Sequence, residues 1–365
     1  MTRPFVLVLY NQPLLPNDHP DAQSEHTVVE IAEFIARTLD GAGFSTSMLG
    51  LGPDLGSLWQ ELKRCQADVV FNLFEGNLDN TETESYVAGL LDWARMPYTG
   101  SPFQALSLAR AKHTTKYLLK GAGLPTADFQ IVHELPSPVC TLDFPVIVKP
   151  ATQDASVGMD QESVCANQCQ LERRVQYILL TYGAPVLIEE YIPGREFNVS
   201  VVELPELAAL PPLEIVFPDG KPGAWPIFTY GGKWHAGTPE YDRTRSCFPT
   251  DLSAASVRKL NRLAMKAYRL LGCRDYARVD FRMKPGGQAF ILEVNPNPDI
   301  SETADLTACL AGANLSHTDF IVRLVQQALN RRHAPKPTFM PLRDSASHNH
   351  GGHREHGGKI EEDNT

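Results

Sequence analysis

The chain has 365 residues, which is long enough for two or three domains. Hydrophobic residues make up 43% of it and charged residues 21%, a globular composition that excludes a wholly disordered chain. Lysine and arginine total 33 against 43 acidic residues, and the net charge of −10 argues against nucleic acid or an anionic membrane as the main partner. No apolar run approaches the about 18 residues of a membrane span. The seven scattered cysteines are typical of free thiols in the cytoplasm.

Strand and helix signals alternate through the first hundred residues. A short apolar run at 5–10 predicts a buried parallel strand, and residues 25–40 carry apolar side chains on one helical stripe. Strands are expected next at 44–49 and 67–74, and helices at 54–66 and 81–96. This rhythm predicts an open α/β domain.

From residue 104 onward the pattern changes. One helix is predicted at 104–121, and strands are predicted at 144–150, 184–194 and 195–204. The proline-rich stretch 205–239 predicts loops and edge strands. A helix at 251–271 precedes a hairpin of strands at 276–283 and 289–295, and the last helix is expected at 317–331. The His- and Gly-rich tail from Arg332 predicts disorder.

The strongest chemical signal lies on the last two predicted strands. Side chains two apart on a strand share a face, so Arg278 lies beside Asp280, and Glu293 lies beside Asn295. Oxygen ligands that converge on one sheet face are costly without a cation, and Mg²⁺ with nucleotide phosphates fits them. The alternative is a polar outer face on which Arg278 pairs with a carboxylate; it is favoured for each residue alone but not for all four.

Two lysines and a loop indicate phosphate binding. Lys112 on a helix and Lys149 at a strand end lie where the chain turns, and the backbone amides of Ser156, Val157 and Gly158 could surround phosphate oxygens. The loop alone is a weak signal, because it contains a single glycine.

Six segments resemble, in order and spacing, the ATP-grasp enzymes, and most of all their D-alanine–D-alanine ligase branch. They lie at 96–125, 144–150, 155–159, 186–201, 270–283 and 290–298. The resemblance implies an α/β chain with α+β subdomains and an ATP-grasp fold. It divides the chain into an N-terminal Rossmann-like pre-ATP-grasp domain (1–103), a small central subdomain (104–192), a C-terminal subdomain with the metal and catalytic residues (193–331) and the tail (332–365).

The resemblance also implies a role for individual residues. The ATP phosphates are expected on Lys112 and Lys149, under the loop of Ser156, Val157 and Gly158 and under Lys233. Adenine is expected against Glu189, Glu190, Tyr191 and Ile192, and the ribose on Glu196. Two Mg²⁺ ions, replaceable by Mn²⁺, are expected on Asp280, Glu293 and Asn295. The catalytic residues would be Arg278, which faces the acyl phosphate, and Glu25, which binds the first substrate's ammonium group.

The implied activity is that of an ATP-dependent carboxylate–amine ligase that forms an acyl phosphate. Its partners would be small-molecule substrates, with neither nucleic acid nor membrane among them, and the resemblance leaves a homodimer open. One alternative is a true D-alanine–D-alanine ligase of peptidoglycan synthesis. An alternative of another class is an ATP-binding protein that has lost catalysis. Replacement of the metal ligands would be the sign of such a loss.

Three departures from the family pattern concern the substrates. Ala155 replaces a serine of the phosphate loop, and residues 74–84 replace a His-Gly-rich loop. Asp305 falls near the positions that hold a substrate carboxylate, which it would repel, whereas it would attract an amine or guanidinium. We therefore expect a substrate pair other than two D-alanines. In the alternative alignment Asp305 points to solvent, and Ser301 holds the carboxylate.

Overall fold

A computed structural model gives the fold and describes residues 3–14, 22–77, 80–136, 139–153, 156–217, 223–234, 237–238, 241–242 and 244–332. The chain divides into one compact unit, Met1–Arg332, and the segment His333–Thr365. The predicted disordered tail lies outside the described residues. Across the described ranges, no helix combines the length and apolarity that a membrane crossing needs. All seven cysteines are free, as predicted.

A three-stranded parallel sheet with helices on both faces forms the N-terminal region. Its elements are β1 (Phe5–Asn11), α1 (Ala22–Gly41), β2 (Ser45–Leu51), α2 (Leu55–Cys65), β3 (Val69–Leu73) and α3 (Thr83–Trp93), with strand order β2-β1-β3. Val6 and Val8 pack in one core with α1, whereas Leu7 and Leu9 pack in another with α2 and α3. Alternate strand residues thus bury both faces, and the predicted open α/β arrangement is confirmed.

The single helix predicted at 104–121 is wrong. Two helices occupy this stretch, α4 (Phe103–Arg110) and α5 (Lys112–Gly121). The chain turns between them at Ala111, which has φ −79° and ψ 78°. The amide of Lys112 then donates to the carbonyl oxygen of Ala151 at 2.9 Å. A tertiary hydrogen bond therefore replaces a helical one and sets Lys112 at a helix start.

The central region is a four-stranded antiparallel sheet of order β4-β7-β5-β6. Its strands are β4 (Phe129–Val132), β5 (Val146–Pro150), β6 (Val164–Cys165) and β7 (Val186–Glu190). Helix α6 (Gln168–Tyr182) packs on it through Leu171, Val175 and Ile178. This helix is absent from the sequence-based expectations, although Asn167 caps its first turn by accepting from the amide of Gln170 at 3.1 Å.

The third sheet is antiparallel and contains the predicted hairpin. Its strands are β8 (Arg195–Glu203), β9 (Leu207–Ala209), β10 (Leu213–Val216), β11 (Arg245–Cys247), β12 (Tyr276–Met283) and β13 (Ala289–Asn295). Their order is β11-β10-β8-β12-β13, with β9 beside β8. The associated helices are α7 (Tyr230–Trp234), α8 (Ala254–Leu271), α9 (Asp305–Gly312) and α10 (His317–Arg332). The three sheets fall inside the predicted ranges 1–103, 104–192 and 193–331, whose boundaries stay predictions.

One hydrophobic core joins the first sheet to the third. Phe320 and Leu324 of α10 pack with Val6 and Phe71 of the first sheet and with Tyr276 of β12. The carboxyl end of β3 consequently lies near the segment 297–300 that follows β13, and both line one cleft. The carboxyl ends of parallel strands are the usual place for ligands in α/β sheets.

Candidate active site

Arg278, Asp280, Glu293 and Asn295 come together on β12 and β13. The hairpin register sets Asp280 opposite Glu293 and Arg278 opposite Asn295, with a bulge directly after Asp280. Arg278 donates from Nε and Nη2 to the two carboxylate oxygens of Asp280 at 2.7 and 2.9 Å. Asn295 Nδ2 donates to Asp280 Oδ2 at 3.0 Å. The predicted proximity of these four residues is therefore observed, while their roles stay predictions.

Positive charge surrounds Glu293 more than Asp280. Lys112 Nζ lies 3.1 Å from Glu293 Oε2. Burial alone would raise the pKa of Glu293, but Lys112, Lys149 and Arg278 outweigh burial and hold this pKa well below its usual range. The pKa of Asp280 is raised, because burial and the charge of Glu293 together outweigh its pairing with Arg278. The two carboxylates thus carry more negative charge than Arg278 alone neutralises.

The donor set at this junction fits Mg²⁺. Asp280 and Glu293 offer carboxylate oxygens, and Asn295, which donates through Nδ2, leaves its Oδ1 for a cation. In the part of the chain that the structure describes, no three His, Cys, Asp or Glu side chains cluster as a closed metal site would require. Mg²⁺ needs only about one or two carboxylates, since phosphate and water complete its coordination. A bound dication would also relieve the repulsion that raises the pKa of Asp280.

A buried carboxylate on β7 binds two lysines. Glu189 is 1% exposed and forms ion pairs with Lys116 of α5 and Lys149 of β5. Lys116 also donates to Thr126 Oγ1 at 2.8 Å. Burial alone would raise the pKa of Glu189, but the two ammonium groups outweigh burial and lower it. Lys116 was not predicted as a site residue, although its spacing of four from Lys112 places both on one helix face.

We expect Lys116→Met to destabilise the fold. Lys116 is 1% exposed, and its removal leaves the buried Glu189 with Lys149 as its one remaining ion-pair partner among the described residues. Breaking a buried ion pair typically costs about 3–5 kcal/mol, and Lys149 offsets part of this, so we expect a loss of about 3 kcal/mol in the free energy of unfolding. Denaturant unfolding measures it, with Lys120→Met on the exposed face of α5 as the control. A loss no larger than that of the control would contradict this account of Lys116.

The segment Glu189–Ile192 connects the second sheet to the third. Glu190 accepts from Lys284 Nζ at 2.8 Å. The ring of Tyr191 meets that of Trp225 edge-on at 5.1 Å between centroids, and Ile192 is buried. Contacts on both sides therefore fix the backbone where the resemblance places adenine.

Glu196, the predicted ribose ligand, lies opposite Arg282 in the pairing of β8 with β12. Arg282 Nε donates to Glu196 Oε2 at 2.8 Å, and the guanidinium also donates to the carbonyl oxygens of Gly194 and Pro226. Arg282 was missed in the sequence, yet it continues the two-residue spacing of Arg278 and Asp280 along one strand face.

The predicted phosphate loop and Lys233 are connected through the backbone. Arg174 Nη2 donates to the carbonyl oxygen of Gly158 at 2.6 Å. The carbonyl oxygen of Met159 accepts at 2.9 Å from the amide of Tyr230, which begins the short helix that carries Lys233. Asp154 and Ala155 lie outside the described residues, as does the side chain of Glu25, so its predicted role stays untested.

Asp305 faces the third sheet. Its Oδ2 accepts from Asn198 Nδ2 at 3.0 Å, and Asn198 lies opposite Asp280 in the pairing of β8 with β12. Ser301 instead donates from its amide and hydroxyl to Asp299 at 2.8 and 3.0 Å. The side chain of Asp305 therefore does not point only to solvent, and whether Asp305 or Ser301 meets a substrate carboxylate stays a prediction.

Glu75 follows β3 and lines the cleft between the first and third sheets. Its side chain is exposed to solvent, but the walls of the cleft surround it and remove part of its hydration. The pKa of Glu75 is raised to about 7, first by desolvation and then by the carboxylate of Asp299, against the opposing charges of Lys233 and Arg110. It lies in the stretch 74–84, which replaces the His-Gly-rich loop of the resembling family.

We expect Glu75→Gln to stabilise the fold increasingly as the pH rises from about 4.5 to about 7. Below this window Glu75 is protonated in the folded and the unfolded chain, so its ionisation contributes nothing. Within the window the unfolded chain ionises first, which favours unfolding, and the glutamine variant escapes this cost. Melting temperatures across the window measure the difference between variant and wild type. A constant difference would contradict the raised pKa.

The chain is similar to known proteins over most of its length. The family model described as "D-ala D-ala ligase C-terminus" matches residues 118–326. A D-alanine–D-alanine ligase from Verminephrobacter eiseniae is 32% identical over 304 residues, which cover 80% of this chain and 83% of that protein. The uncharacterized protein y4sG of Sinorhizobium fredii is 32% identical over 263 residues, or 72% of this chain and 75% of that protein.

A solved structure agrees with the fold over most of the chain. It is that of D-alanine–D-alanine ligase from Bacillus anthracis complexed with ATP, with a TM-score of 0.69 and 18% sequence identity, and it covers 91% of this chain and 99% of that one. At this identity the likeness shows the fold alone, whereas the matched family model spans more than half of the chain. The chain has the ATP-grasp fold and belongs to the D-alanine–D-alanine ligase family.

Proposed function

We propose that this protein is an ATP-dependent ligase that joins a carboxylate, of an amino acid or a related small acid, to an amine through an acyl phosphate. One observation carries the proposal. Lys112 lies 3.1 Å from Glu293, in the same junction as Asp280, Asn295 and Arg278. This chemistry needs cations that bind phosphate, oxygen ligands that bind a divalent metal ion, and an arginine that stabilises the reacting carbonyl group.

ATP is proposed to lie between the second and third sheets. Lys112 and Lys149 would bind its phosphates, because Lys112 pairs with Glu293 and the charge of Lys149 reaches the same carboxylate. The loop of Ser156, Val157 and Gly158 and the neighbouring Lys233 would cover the phosphates. Adenine would lie along Glu189–Ile192, and the ribose hydroxyls would donate to Glu196. The ATP-bound relative with the same fold supports this placement in general terms.

Mg²⁺ is proposed on Asp280, Glu293 and Asn295, where it would neutralise the charge that develops on the transferred phosphoryl group. The low pKa of Glu293 keeps its carboxylate ionised for this purpose at every ordinary pH. Asn295 presents an oxygen without adding charge, which suits a site that already holds two carboxylates.

Arg278 is proposed as the catalytic residue of the second half-reaction. A substrate carboxylate oxygen first attacks the γ-phosphorus, and the bond to ADP breaks. The amine then attacks the acyl carbon, and phosphate leaves with the oxygen that the carboxylate supplied. Asp280 holds Arg278 through Nε and Nη2, so Nη1 is available to the oxyanion that forms in between. A preorganised donor of this kind contributes about 2.7–4 kcal/mol to the transition state.

The proposed substrates are not two D-alanines. Asp305 accepts a hydrogen bond from Asn198 and so lies at the edge of the junction around Asp280. The repulsion between Asp305 and a substrate carboxylate about 4 Å away would cost about 4 kcal/mol at an effective dielectric of about 20. The same charge favours an amine or a guanidinium. A true D-alanine–D-alanine ligase would need to compensate this repulsion; within the described residues the side chain of Asp305 accepts from Asn198, and the charge of Arg278 reaches it.

A panel assay tests the proposed function. Phosphate release from ATP with Mg²⁺ is measured for pairs drawn from D- and L-amino acids, diamino acids and small acids, and the products are identified by mass spectrometry. We expect ADP, phosphate and an amide product for at least one pair. If ATP binds but no pair increases phosphate release, the alternative of an ATP-binding protein without catalysis replaces this proposal.

Asp305→Asn is expected to improve the use of D-alanine relative to an amine-bearing substrate. Asparagine retains an oxygen that accepts from Asn198 and removes only the charge. Relief of about 1–3 kcal/mol, a part of the repulsion of about 4 kcal/mol, corresponds to about a 5- to 150-fold rise in the ratio of the two kcat/KM values. An unchanged ratio, or a wild type that already prefers D-alanine to every other amine in the panel, would contradict the substrate assignment.

A further inference from the structure

The cleft between the first and third sheets contains polar groups that the proposed chemistry does not use. Val28 and Ile31 of α1, together with Ile300, give it an apolar wall. Asn72 of β3 and Glu75 lie on the same lining, and Asp299 faces them from the segment after β13. Apolar and acidic surfaces thus occupy one concave site.

Asn72 is a buried donor without an acceptor. Its side chain is 2% exposed, and its Oδ1 accepts from the amide of Phe74 at 3.3 Å. Its Nδ2 has no hydrogen-bond partner among the described residues. Buried polar groups are nearly always hydrogen-bonded in native structures, so this donor is available to an oxygen of a molecule bound in the cleft.

Within the described residues the carboxylate of Glu75 forms no ion pair, although the charges of Lys233 and Arg110 reach it. Within the described ranges no group donates to its side chain; only its amide is bonded, to Asn11 Oδ1 at 2.8 Å. Arg110, whose charge reaches Glu75, is paired with Glu84 at 2.7 Å. Desolvation in the cleft, followed by the charge of Asp299, raises the pKa of Glu75 to about 7 against the charges of Lys233 and Arg110. Asp299 adds a second negative charge.

We propose that this cleft selects a substrate that carries a cation on an aliphatic stem, with a protonated amine or guanidinium against Glu75 and Asp299. The stem would lie along Val28, Ile31 and Ile300, because a hydrocarbon chain with a charged end matches an apolar wall that ends in acids. A carboxylate or carbonyl oxygen of the same molecule would accept from Asn72 Nδ2. The assignment of this molecule as a substrate rests on the proposed ligase function.

Matched pairs of amino acids test the proposal, because they differ in the cation and little else. Lysine is compared with norleucine, and arginine with citrulline, each in D and L forms. Binding is measured by calorimetry at about pH 8, where Glu75 is ionised, with and without Mg²⁺ and a non-hydrolysable ATP analogue. We expect one cationic probe to bind at least about tenfold more tightly than its neutral partner.

Two variants locate the selectivity. Glu75→Gln keeps the size of the side chain and should reduce the preference for the cation at least about fivefold. Glu33→Gln, on the exposed face of α1 where Glu33 pairs with Arg37, should leave it unchanged. Equal binding of cationic and neutral probes, failure of all the probes to bind, or a preference that survives Glu75→Gln would each overturn the proposal.

The phosphate-release assay separates this proposal from the ligase function. If a cationic probe binds through Glu75 but no amine or acid increases phosphate release, the cleft assignment stands and the ligase function fails. If neutral amino acids are ligated as efficiently as cationic ones, the ligase function stands and the cleft assignment fails.

Discussion

Glu293→Gln is expected to abolish ATP-dependent phosphate release while the protein stays folded. The carboxylate lies between the ammonium of Lys112 and the pair Asp280–Arg278, and it supplies half of the negative charge proposed to bind Mg²⁺. Glutamine keeps the shape and removes the charge. We expect turnover to fall at least about 100- to 1,000-fold, the loss typical when one preorganised electrostatic group is removed from an active site.

The fold should tolerate this change, because Arg278 and Asp280 keep their two hydrogen bonds. Unfolding curves and ATP-analogue binding without metal serve as checks, and Glu33→Gln is the matched surface control. A folded Glu293→Gln protein that keeps more than about a tenth of wild-type turnover would remove Glu293 from the reaction.

Lys149→Ala is expected to weaken ATP binding by about 10- to 100-fold, since a hydrogen bond to a charged group contributes about 1.5–3 kcal/mol. Lys149 lies at the end of β5, and its side chain is 14% exposed. Its partner Glu189 keeps the buried Lys116, so loss of the lysine should weaken the nucleotide site more than the fold.

Calorimetric titration with an ATP analogue measures this loss. Lys120→Ala is the control, because Lys120 lies on the exposed side of α5 and pairs with Asp128 at 2.5 Å. ATP affinity equal to wild type in Lys149→Ala, with the control also unchanged, would show that the phosphates bind elsewhere.

The sequence predicts that Arg278, Asp280, Glu293 and Asn295 lie close together, because their geometry is local. Arg278 and Asp280, like Glu293 and Asn295, are two residues apart, and a turn at 284–287 fixes the register of their strands. Strand periodicity and one hairpin therefore suffice to bring four side chains together.

The sequence analysis missed the features that depend on contacts between residues far apart in the chain, because local patterns do not encode such contacts. The break at Ala111 follows from a hydrogen bond between Lys112 and Ala151, which no helix propensity encodes. In the sequence Lys116 cannot be distinguished from a surface lysine, and only the fold shows that it pairs with Glu189. Glu75 lies in a polar stretch of the sequence. Its raised pKa arises from partial desolvation in the cleft and from Asp299, which is more than two hundred positions away along the chain.

The transfer of oxygen from carboxylate to phosphate tests the ligase proposal most directly. The acid with the highest turnover in the panel is labelled with ¹⁸O in its carboxyl group and incubated with ATP, Mg²⁺ and its amine partner. With both carboxyl oxygens labelled, the account predicts ADP, inorganic phosphate that carries a single ¹⁸O atom from the acid, and an amide that retains the other ¹⁸O in its carbonyl group. Phosphate without the label, or AMP with pyrophosphate in place of ADP, would contradict a reaction through an acyl phosphate.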